Sequence, residues 1–309
     1  MKNVIEVKKL VKKYDDLMAV NDISFEVKQG EIFGLLGENG AGKTTTLEII
    51  EGLRRPTSGE IFVLGNKSHD GCDDIIKEQI GVQLQSSAYY SLLNLEEILD
   101  LFGSFYNKKI DPIKLLKMVS LDDKAKFLID NLSGGQKQRF SIVASLVNDP
   151  KIVFLDEPTT GLDPLARRNL WSLISEIKNQ GKTIVLTTHY MEEAEILCDR
   201  IAIMEKGKIV AIGETHKLIE HTDSPFKMNF VAPKINQKII NQVSQIGKVE
   251  TIVGKSGHYE SKFKKQSDLN KALGIIQKED PESLTIGRAS LEDLFIELTG
   301  KRIGEEENA

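Results

Sequence analysis

The stretch Glu31–Thr45, EIFGLLGENGAGKTT, decides how the rest of the chain is interpreted. A mainly apolar run, Ile32 to Leu36, leads into residues 37–44, which fit the pattern G-x-x-x-x-G-K-[ST] at every fixed position. A triphosphate needs several backbone N–H donors aimed at one point, and glycines allow both the close approach and the unusual backbone angles. We therefore predict a strand, a phosphate-binding loop and a helix that begins near Gly42.

The residue types in this loop suit a nucleotide. Lys43 can supply a point charge to the β- and γ-phosphates, and Thr44 can supply a hydroxyl ligand for Mg²⁺. The N-terminal end of the following helix adds its positive dipole. The alternative is an ordinary glycine-rich turn between a strand and a helix, but the complete pattern favours the phosphate loop.

Composition limits the class of protein. The chain has 309 residues, 40% hydrophobic and 28% charged, which is typical of a globular protein with one large and one small domain, or with two domains. The net charge of −5, without a basic tract, argues against a protein that coats nucleic acid. Cys72 and Cys198 lack metal-ligand spacing, so we expect a reducing compartment and no structural disulfide. No secretory signal and no apolar run of about 18 residues occurs, so we expect any membrane role to come through a partner.

A second anion-binding helix start is predicted in residues 132–139, LSGGQKQR. Ser133 can cap a helix, and the two glycines that follow expose its first N–H groups. The preceding residues, from about 86 to 130, show mainly helical spacing. We interpret them as a helical subdomain inserted between strand-rich parts.

Two acidic residues follow a predicted buried strand. Lys151–Leu155 is a continuous apolar run of the kind found in parallel sheets, and Asp156 and Glu157 come directly after it. Adjacent carboxylates are costly to bury without a cation or a partner. The pair therefore predicts a Mg²⁺ site supported by Asp156 and an attacking water polarised by Glu157. Two surface acids at a strand end are the alternative.

Two further side chains, those of His189 and Tyr14, lie where they could contact a bound nucleotide. His189 comes just past the buried strand Thr183–Leu186, at the edge where doubly wound sheets place their ligands, although a lone histidine is more often structural. Tyr14 lies between two predicted strands, and its ring suits either an adenine base or the protein core. The sequence leaves both roles of Tyr14 open.

The last part of the chain alternates between strand and helix patterns. From Phe226 to Ile286 the order is β-α-β-β-α-β, which predicts a small α+β domain of the split βαβ, ferredoxin-like type. A final helix carries an apolar stripe that either packs on its own domain or forms a contact surface: Leu291, Leu294, Phe295 and Leu298. We place the domains at residues 1–220 and 221–309, with the helical subdomain at about 86–150.

Across residues 1–215, the motifs closely resemble those of the nucleotide-binding domain of ATP-binding cassette (ABC) proteins. The matching segments are GENGAGKTT, LSGGQKQR, IVFLDEP, GLDP and the histidine of TTH. The LSGGQ-type signature is specific to this family, whereas the phosphate loop alone is not. The resemblance implies an α/β fold: a P-loop NTPase cassette with a mixed sheet core and a helical subdomain, followed here by the ferredoxin-like domain.

The resemblance also implies roles residue by residue, with ATP and Mg²⁺ as cofactors. Catalytic roles fall on Glu157 as general base, on His189, and on Gln85, whose surroundings IGVQLQ are a looser match. Mg²⁺ contacts are implied for Thr44, Gln85 and Asp156. Nucleotide contacts are implied for Tyr14, Gly37, Asn39, Gly40, Gly42, Lys43, Thr44, Thr45, Ser133, Gly135 and Asp163.

The same resemblance implies two partners. Each ATP would lie between the phosphate loop of one ATP-binding subunit and the signature helix of a second, which is either an identical copy or a paralogue. An integral-membrane permease would dock on the helical subdomain. The protein would then be cytoplasmic and peripheral on the inner face of the cell membrane.

The segment LEDLFIELTG, residues 291–300, resembles the C-terminal segment of ATPase subunits from bacterial ABC-2-type exporters. It favours export of a drug, antibiotic, lipid or similar compound. An importer subunit is an alternative, because the cassette chemistry is shared. A soluble ABC ATPase acting on ribosomes or DNA is the other alternative, but such proteins usually carry two cassettes or long insertions. We expect no nucleic-acid partner because the net charge is acidic.

Overall fold

The computed structural model describes residues 2–69, 73–85, 89–106, 108–251 and 256–300. Its internal contacts divide the chain into one unit that ends at Gly213 and a second that begins at Glu214. In chain order, the elements from Asn3 to Glu214 are β1 (Asn3–Tyr14), β2 (Leu17–Lys28), β3 (Ile32–Leu36), α1 (Lys43–Ile50), β4 (Ser58–Val63), β5 (Asn66–Lys67), α2 (Asp73–Lys77), β6 (Ile80–Gln83), α3 (Leu95–Phe105), α4 (Pro112–Met118), α5 (Gly134–Ala144), β7 (Ile152–Asp156), α6 (Pro164–Asn179), β8 (Thr183–Thr188), α7 (Met191–Leu197), β9 (Arg200–Glu205) and β10 (Lys208–Glu214).

The central sheet of the first unit has six strands in the order β10-β9-β3-β8-β7-β6. Strand β3 is parallel to β8 and β9, and β7 is parallel to β6 and β8. Every residue of β3, β7 and β8 is buried, which explains why their sequences are continuous apolar runs instead of alternating ones. Because parallel strands end at the same edge of a sheet, the loops after β3, β7 and β8 lie side by side.

A second sheet of four strands, in the order β2-β1-β4-β5, is antiparallel where β1 pairs with β2 and β4. Its strands alternate buried and more exposed residues, as predicted for half-buried strands. Phe25 of β2 stacks on Phe33 of β3 with ring centroids 5.3 Å apart. The two sheets therefore share one apolar core, and the mixed α/β architecture is confirmed.

The predicted helical region lies between β6 and β7. Within its described residues, helices α3, α4 and α5 are joined by turns and two short 3₁₀ segments, with an isolated bridge between Asn94 and Leu128. Helix α3 begins with a capping box: the Asn94 side chain accepts from the Glu97 N–H (3.0 Å), and the Glu97 carboxylate accepts from the Asn94 N–H (2.9 Å). The helical region extends through α5 to Ala144.

The second unit contains α8 (Thr215–Glu220), β11 (Phe226–Val231), α9 (Gln237–Ser244), β12 (Lys248–Thr251), β13 (His258–Phe263), α10 (Gln266–Ile276), β14 (Ser283–Arg288) and α11 (Leu291–Thr299). Its sheet order is β12-β13-β11-β14, and each neighbouring pair is antiparallel. Helices α9 and α10 pack on the face that carries Met228, Phe230 and Phe263. The elements from β11 to β14 follow the predicted β-α-β-β-α-β order.

Helix α11 buries most of its apolar stripe. Leu291, Leu294 and Phe295 are at most 5% exposed, whereas Leu298 is 38% exposed. This burial favours packing within the chain over a contact surface. Helix α8 packs against α11 and so groups with the second unit. The domain boundary after residue 220 stays a prediction.

Three helices, α2, α7 and α8, do not appear in our predictions. They have five, seven and six residues, too few for the apolar spacing of a helix to repeat. Among the described residues, no helix is both long enough and apolar enough to cross a membrane.

Gly81 in β6 allows a close approach by the end of α5. A Cβ atom at this position would lie 2.0 Å from the Ser145 carbonyl oxygen and 3.0 Å from the Pro150 ring. We expect Gly81→Ala to lower the free energy of unfolding by about 1–3 kcal/mol, because backbone must move to relieve the overlap. Denaturant unfolding measures this change.

Gly274→Ala is the matched control. No atom lies within 4 Å of the added Cβ, and the residue is inside α10. Removing a helical glycine should raise stability by about 0.5–1 kcal/mol. Equal stability of Gly81→Ala and wild type would contradict the close contact.

Candidate functional site

The loop between β3 and α1 requires glycine. Gly40 and Gly42 have φ values of 79° and 97°, in the left-handed region. A Cβ atom would lie 2.3 Å from the Ala19 carbonyl oxygen at Gly42, and 2.4 Å from that of Met204 at Gly37. At Gly40 no atom lies within 4 Å of the Cβ position. Gly37 and Gly42 therefore pack against neighbouring backbone, whereas the loop at Gly40 is open to a ligand, as phosphate binding by backbone N–H groups requires.

Lys43, the first residue of α1, is held inside this loop. Its side chain is 4% exposed, and Nζ donates to the carbonyl oxygens of Gly37 (2.9 Å) and Glu38 (3.0 Å). Nζ also lies 3.4 Å from Glu157 Oε1. Burial lowers the pKa of the Lys43 ammonium, and the Glu157 charge opposes that change. Phosphate oxygens would offer this ammonium stronger acceptors than the loop carbonyls do.

Glu157 follows β7 in a left-handed conformation, with φ of 47°. Its N–H donates to Thr187 Oγ1 of β8 (2.9 Å), which anchors the unusual turn. Glu157 Oε2 lies 3.3 Å from His189 Nδ1 and accepts from Thr160 Oγ1 (3.1 Å) and Gln85 Nε2 (3.5 Å). The contact with His189 is the main cause that lowers the pKa of Glu157 to about 2. The structure therefore brings Glu157, His189 and Gln85 together.

Asp156 is the last residue of β7 and is 4% exposed. Its Oδ1 accepts from Thr44 Oγ1 (3.2 Å) and from the Thr187 hydroxyl. Burial raises the pKa of Asp156, so a nearby cation would relieve an unfavourable charge. The paired Thr44 and Asp156 oxygens fit Mg²⁺, which takes oxygen ligands and keeps waters and phosphates in its shell. No group of three or more His, Cys, Asp or Glu residues that could hold a metal occurs in the described ranges.

Ser133, Gly135 and Asp163 form a separate group. Ser133 caps α5, accepting from Gln136 N–H at 3.4 Å, and a Cβ atom at Gly135 would lie 3.6 Å from Ala166 Cβ. Asp163 caps α6 by accepting from Ala166 N–H (2.9 Å). Among the described residues, none of these three shares a hydrogen bond or ion pair with the phosphate loop. Ser133 and Asp163 are exposed, so this group faces solvent next to α6.

The remaining predicted nucleotide contacts lie at the edges of the site. Asn39 is exposed at the tip of the phosphate loop, and Thr45 is half-buried in α1. Tyr14 ends β1 half-buried, with Lys12 Nζ 4.8 Å from its ring centroid and the Arg54 guanidinium carbon 6.0 Å away. Arg54 Nη1 also donates to the Tyr14 hydroxyl (3.3 Å). The Tyr14 ring therefore packs on cations and not in the core.

Sequence reasoning missed Thr187 of β8, which bonds both Asp156 at the end of β7 and Glu157 just after it. The available signal was a pair of threonines at the end of an otherwise apolar buried strand. It also missed Glu193, which is fully buried and accepts from Trp171 Nε1 (3.1 Å). No spacing pattern pointed to Glu193, because its partner lies on another helix.

Residues 20–160 match the family model described as ABC transporter. A protein of Burkholderia orbicola named Nod factor export ATP-binding protein I is 36% identical over 97% of this chain and 98% of its own length. The chain belongs to the ABC transporter family of ATP-binding proteins. A Rhizobium sp. protein of the same name is 35% identical over 98% of the chain and 99% of its own length.

Solved ABC structures agree with this family and its fold. The ATP-binding subunit of an ABC transporter is 33% identical, with a TM-score of 0.63, over 70% of this chain and 91% of its own. A dimeric cassette in a post-hydrolysis state bound to ADP and Pi is 28% identical, with a TM-score of 0.63, over 68% of this chain and 98% of its own. The predicted cassette fold, ATP binding and ATPase activity are confirmed.

The Glu157 carboxylate should stabilise the fold at neutral pH. Its pKa is about 2 in the folded chain and 4.5 ordinarily, so its contribution is present above about pH 4.5 and is lost as pH falls towards 2. We expect Glu157→Gln to lower the free energy of unfolding by about 2–3 kcal/mol at pH 7 and by much less at pH 3. Urea unfolding without nucleotide at both pH values measures the difference.

Glu78→Gln is the control, because Glu78 is exposed in the same unit. Its effect should stay within about 0.5 kcal/mol at both pH values. A deficit of Glu157→Gln that is equal at pH 7 and pH 3 would show that the ionised carboxylate is not the stabilising group.

Proposed function

We propose that this chain is the ATP-hydrolysing subunit of a bacterial ABC exporter that works with a separate membrane permease. One observation carries the direction of transport: relatives that match nearly the whole chain, including its second unit, are named for Nod factor export. The structural neighbours cover about the first unit only, at 68–70% of the chain, so they support the cassette but not the direction. These full-length matches favour export over import and over a role on ribosomes or DNA.

ATP would bind with its phosphates in the glycine cradle. Gly37, Gly40 and Gly42 admit the phosphates, and Lys43 moves its ammonium from the loop carbonyls to the β- and γ-phosphate oxygens. Asn39 lies in the phosphate loop and Thr45 in the first turn of α1, so both would contact the same phosphates. Tyr14 offers its ring to the adenine, with Lys12 and Arg54 beside it.

Thr44 and Asp156 would hold Mg²⁺. Gln85 lies beside Glu157, where it would contact the water molecules that surround the ion. The ion, when bound, neutralises charge on the phosphates. Glu157 acts as general base and accepts a proton from the attacking water at Oε2, which is ionised at neutral pH. His189, 3.3 Å from the same oxygen, orients this carboxylate and contacts the γ-phosphate side of the site.

A second ATP-binding subunit would complete each site. Ser133 and Gly135 expose the start of α5, and Asp163 and Leu165 expose the start of α6, where Leu165 is 70% exposed. Within the described ranges, these groups have no hydrogen-bond or ion-pair partner in the phosphate loop of the same chain, which supports a nucleotide shared between two chains. The γ-phosphate then bridges the two helix starts, and hydrolysis removes the bridge. The second subunit is a copy of this chain or a paralogue.

The permease would dock on the helical region that contains α3 and α4. In that arrangement the protein is cytoplasmic and peripheral on the inner face of the membrane, and the permease selects the transported compound.

Glu157→Gln tests the proposed general base. We expect it to bind Mg-ATP normally, to hydrolyse ATP at least about a hundredfold more slowly than wild type, and to accumulate as an ATP-dependent dimer. Steady-state phosphate release and light scattering measure the two effects. Hydrolysis within about threefold of wild type would remove Glu157 as the base.

Ser133→Arg is the contrasting variant. It should keep ATP binding by the monomer, because Ser133 lies away from the phosphate loop, but it should prevent the ATP-dependent dimer. Normal dimerisation of Ser133→Arg would rule out the shared site.

Affinity purification from detergent-solubilised membranes of the source cell tests the exporter assignment. We expect the tagged chain to recover a membrane protein with several spans, identified by mass spectrometry, and an untagged chain to recover none. Recovery of ribosomal proteins or DNA-repair factors without a permease would contradict the proposal.

A further inference from the structure

The turn that follows β8 places an aromatic ring against His189. The ring centroids of His189 and Tyr190 lie 4.1 Å apart, and the two ring planes meet at 41°. The Tyr190 N–H donates to Thr188 Oγ1 (2.9 Å), which fixes the backbone of the turn just before α7 begins. Both rings are half-buried. The imidazole of His189 therefore has a neighbouring ring that limits the orientations open to it.

Arg167, in the first turn of α6, packs on the same tyrosine. Its guanidinium carbon lies 4.1 Å from the Tyr190 ring centroid, well inside the limit of about 6 Å for a cation–π contact. The Arg167 side chain is half-buried, and its Nε has no hydrogen-bond partner among the described residues. The contact with the ring therefore joins the beginning of α6 to the turn that carries His189.

Glu193 anchors this arrangement from the first turn of α7. It is fully buried, and its Oε1 accepts a hydrogen bond from Trp171 Nε1 of α6 (3.1 Å). Burial is the main cause that raises the pKa of the Glu193 carboxyl group, and the Arg167 charge is among the influences that oppose this change. Helices α6 and α7 are thus joined by a buried hydrogen bond, and the Arg167 cation lies within reach of the Glu193 charge.

His189 is the point at which these contacts meet the nucleotide site. Its Nδ1 lies 3.3 Å from Glu157 Oε2, and its side chain is 20% exposed. Apart from this contact, Nδ1 has no hydrogen-bond partner within the described part of the chain. An imidazole ring with a single polar contact can rotate about its side-chain torsions unless packing holds it. The Tyr190 ring supplies such packing.

We propose that Tyr190 is a positioning residue for ATP hydrolysis, whose ring, packed on Arg167, holds the imidazole of His189 against Glu157. We call Arg167 and Tyr190 the histidine clamp. The proposal rests on the role proposed above for His189. Hydrolysis requires close alignment of the reacting groups, and a small displacement of one group is costly in rate. ATP binding depends on the phosphate loop, to which the clamp contributes no residue, so loss of the clamp should lower kcat and not ATP affinity.

Tyr190→Ala tests the clamp by removing its ring. We expect kcat for ATP hydrolysis to fall about tenfold, because His189 loses its fixed orientation, while KM for Mg-ATP stays within about twofold. Tyr190→Phe keeps the ring, and no described residue bonds to the Tyr190 hydroxyl, so kcat should stay within about twofold of wild type. Phosphate release over a range of ATP concentrations measures both constants. An unchanged kcat of Tyr190→Ala, or a change in KM alone, overturns the proposal.

Arg167→Gln tests the cation of the clamp. It should lower kcat about twofold to fivefold, the rate equivalent of one cation–π contact. In the Tyr190→Ala protein the same substitution should have no further effect, because the ring that transmits it is absent. Independent losses in the double variant would overturn the clamp. Arg168→Gln is the matched control: it removes an exposed cation at the next position of α6 and should leave kcat unchanged.

Stoichiometric binding of Mg-ATP shows that each variant is folded. If Tyr190→Ala binds less than one equivalent, the comparison of Arg167→Gln with Arg168→Gln decides, and a wild-type kcat of Arg167→Gln overturns the clamp.

His189→Ala separates this proposal from the one on which it rests. It should lower kcat at least as much as Tyr190→Ala does, and adding Tyr190→Ala to it should have no further effect. If His189→Ala is slow but Tyr190→Ala hydrolyses ATP at the wild-type rate, the clamp is overturned and the role of His189 stands. A wild-type rate of His189→Ala overturns both.

Discussion

The structure of the site depends on the burial of three charged side chains at one edge of the parallel sheet. Lys43, Asp156 and Glu157 are each at most 8% exposed. Lys43 begins α1, and the two acidic residues lie together at the end of β7. Burial disfavours the charged form of Lys43, and the Glu157 carboxylate and two loop carbonyls partly offset this cost. Burial also disfavours the charged form of Asp156, and hydrogen bonds from Thr44 and Thr187 partly offset that cost. A nucleoside triphosphate would supply anionic oxygens to the Lys43 ammonium, and a divalent cation would neutralise the buried Asp156 carboxylate.

The surrounding fold serves to hold these charges in place. The close packing of Gly37 on Met204 and of Gly42 on Ala19 leaves the phosphate loop little freedom to move. Thr187 ties the turn at Glu157 to the neighbouring strand, so the carboxylate keeps its direction towards His189. The site is therefore largely formed before any ligand binds, and less ordering is needed on binding.

The sequence by itself determined the features that depend on neighbouring residues along the chain. The phosphate loop, the buried strands before Asp156 and His189, the cap at Ser133 and the β-α-β-β-α-β order all follow from patterns of a few adjacent residues. Only the tertiary structure decided which distant groups meet: Thr187 with Asp156, Gln85 with Glu157, and Arg54 with Tyr14. The reason is that hydrogen bonding and burial depend on how strands pair and helices pack, and residue spacing along the chain does not record either.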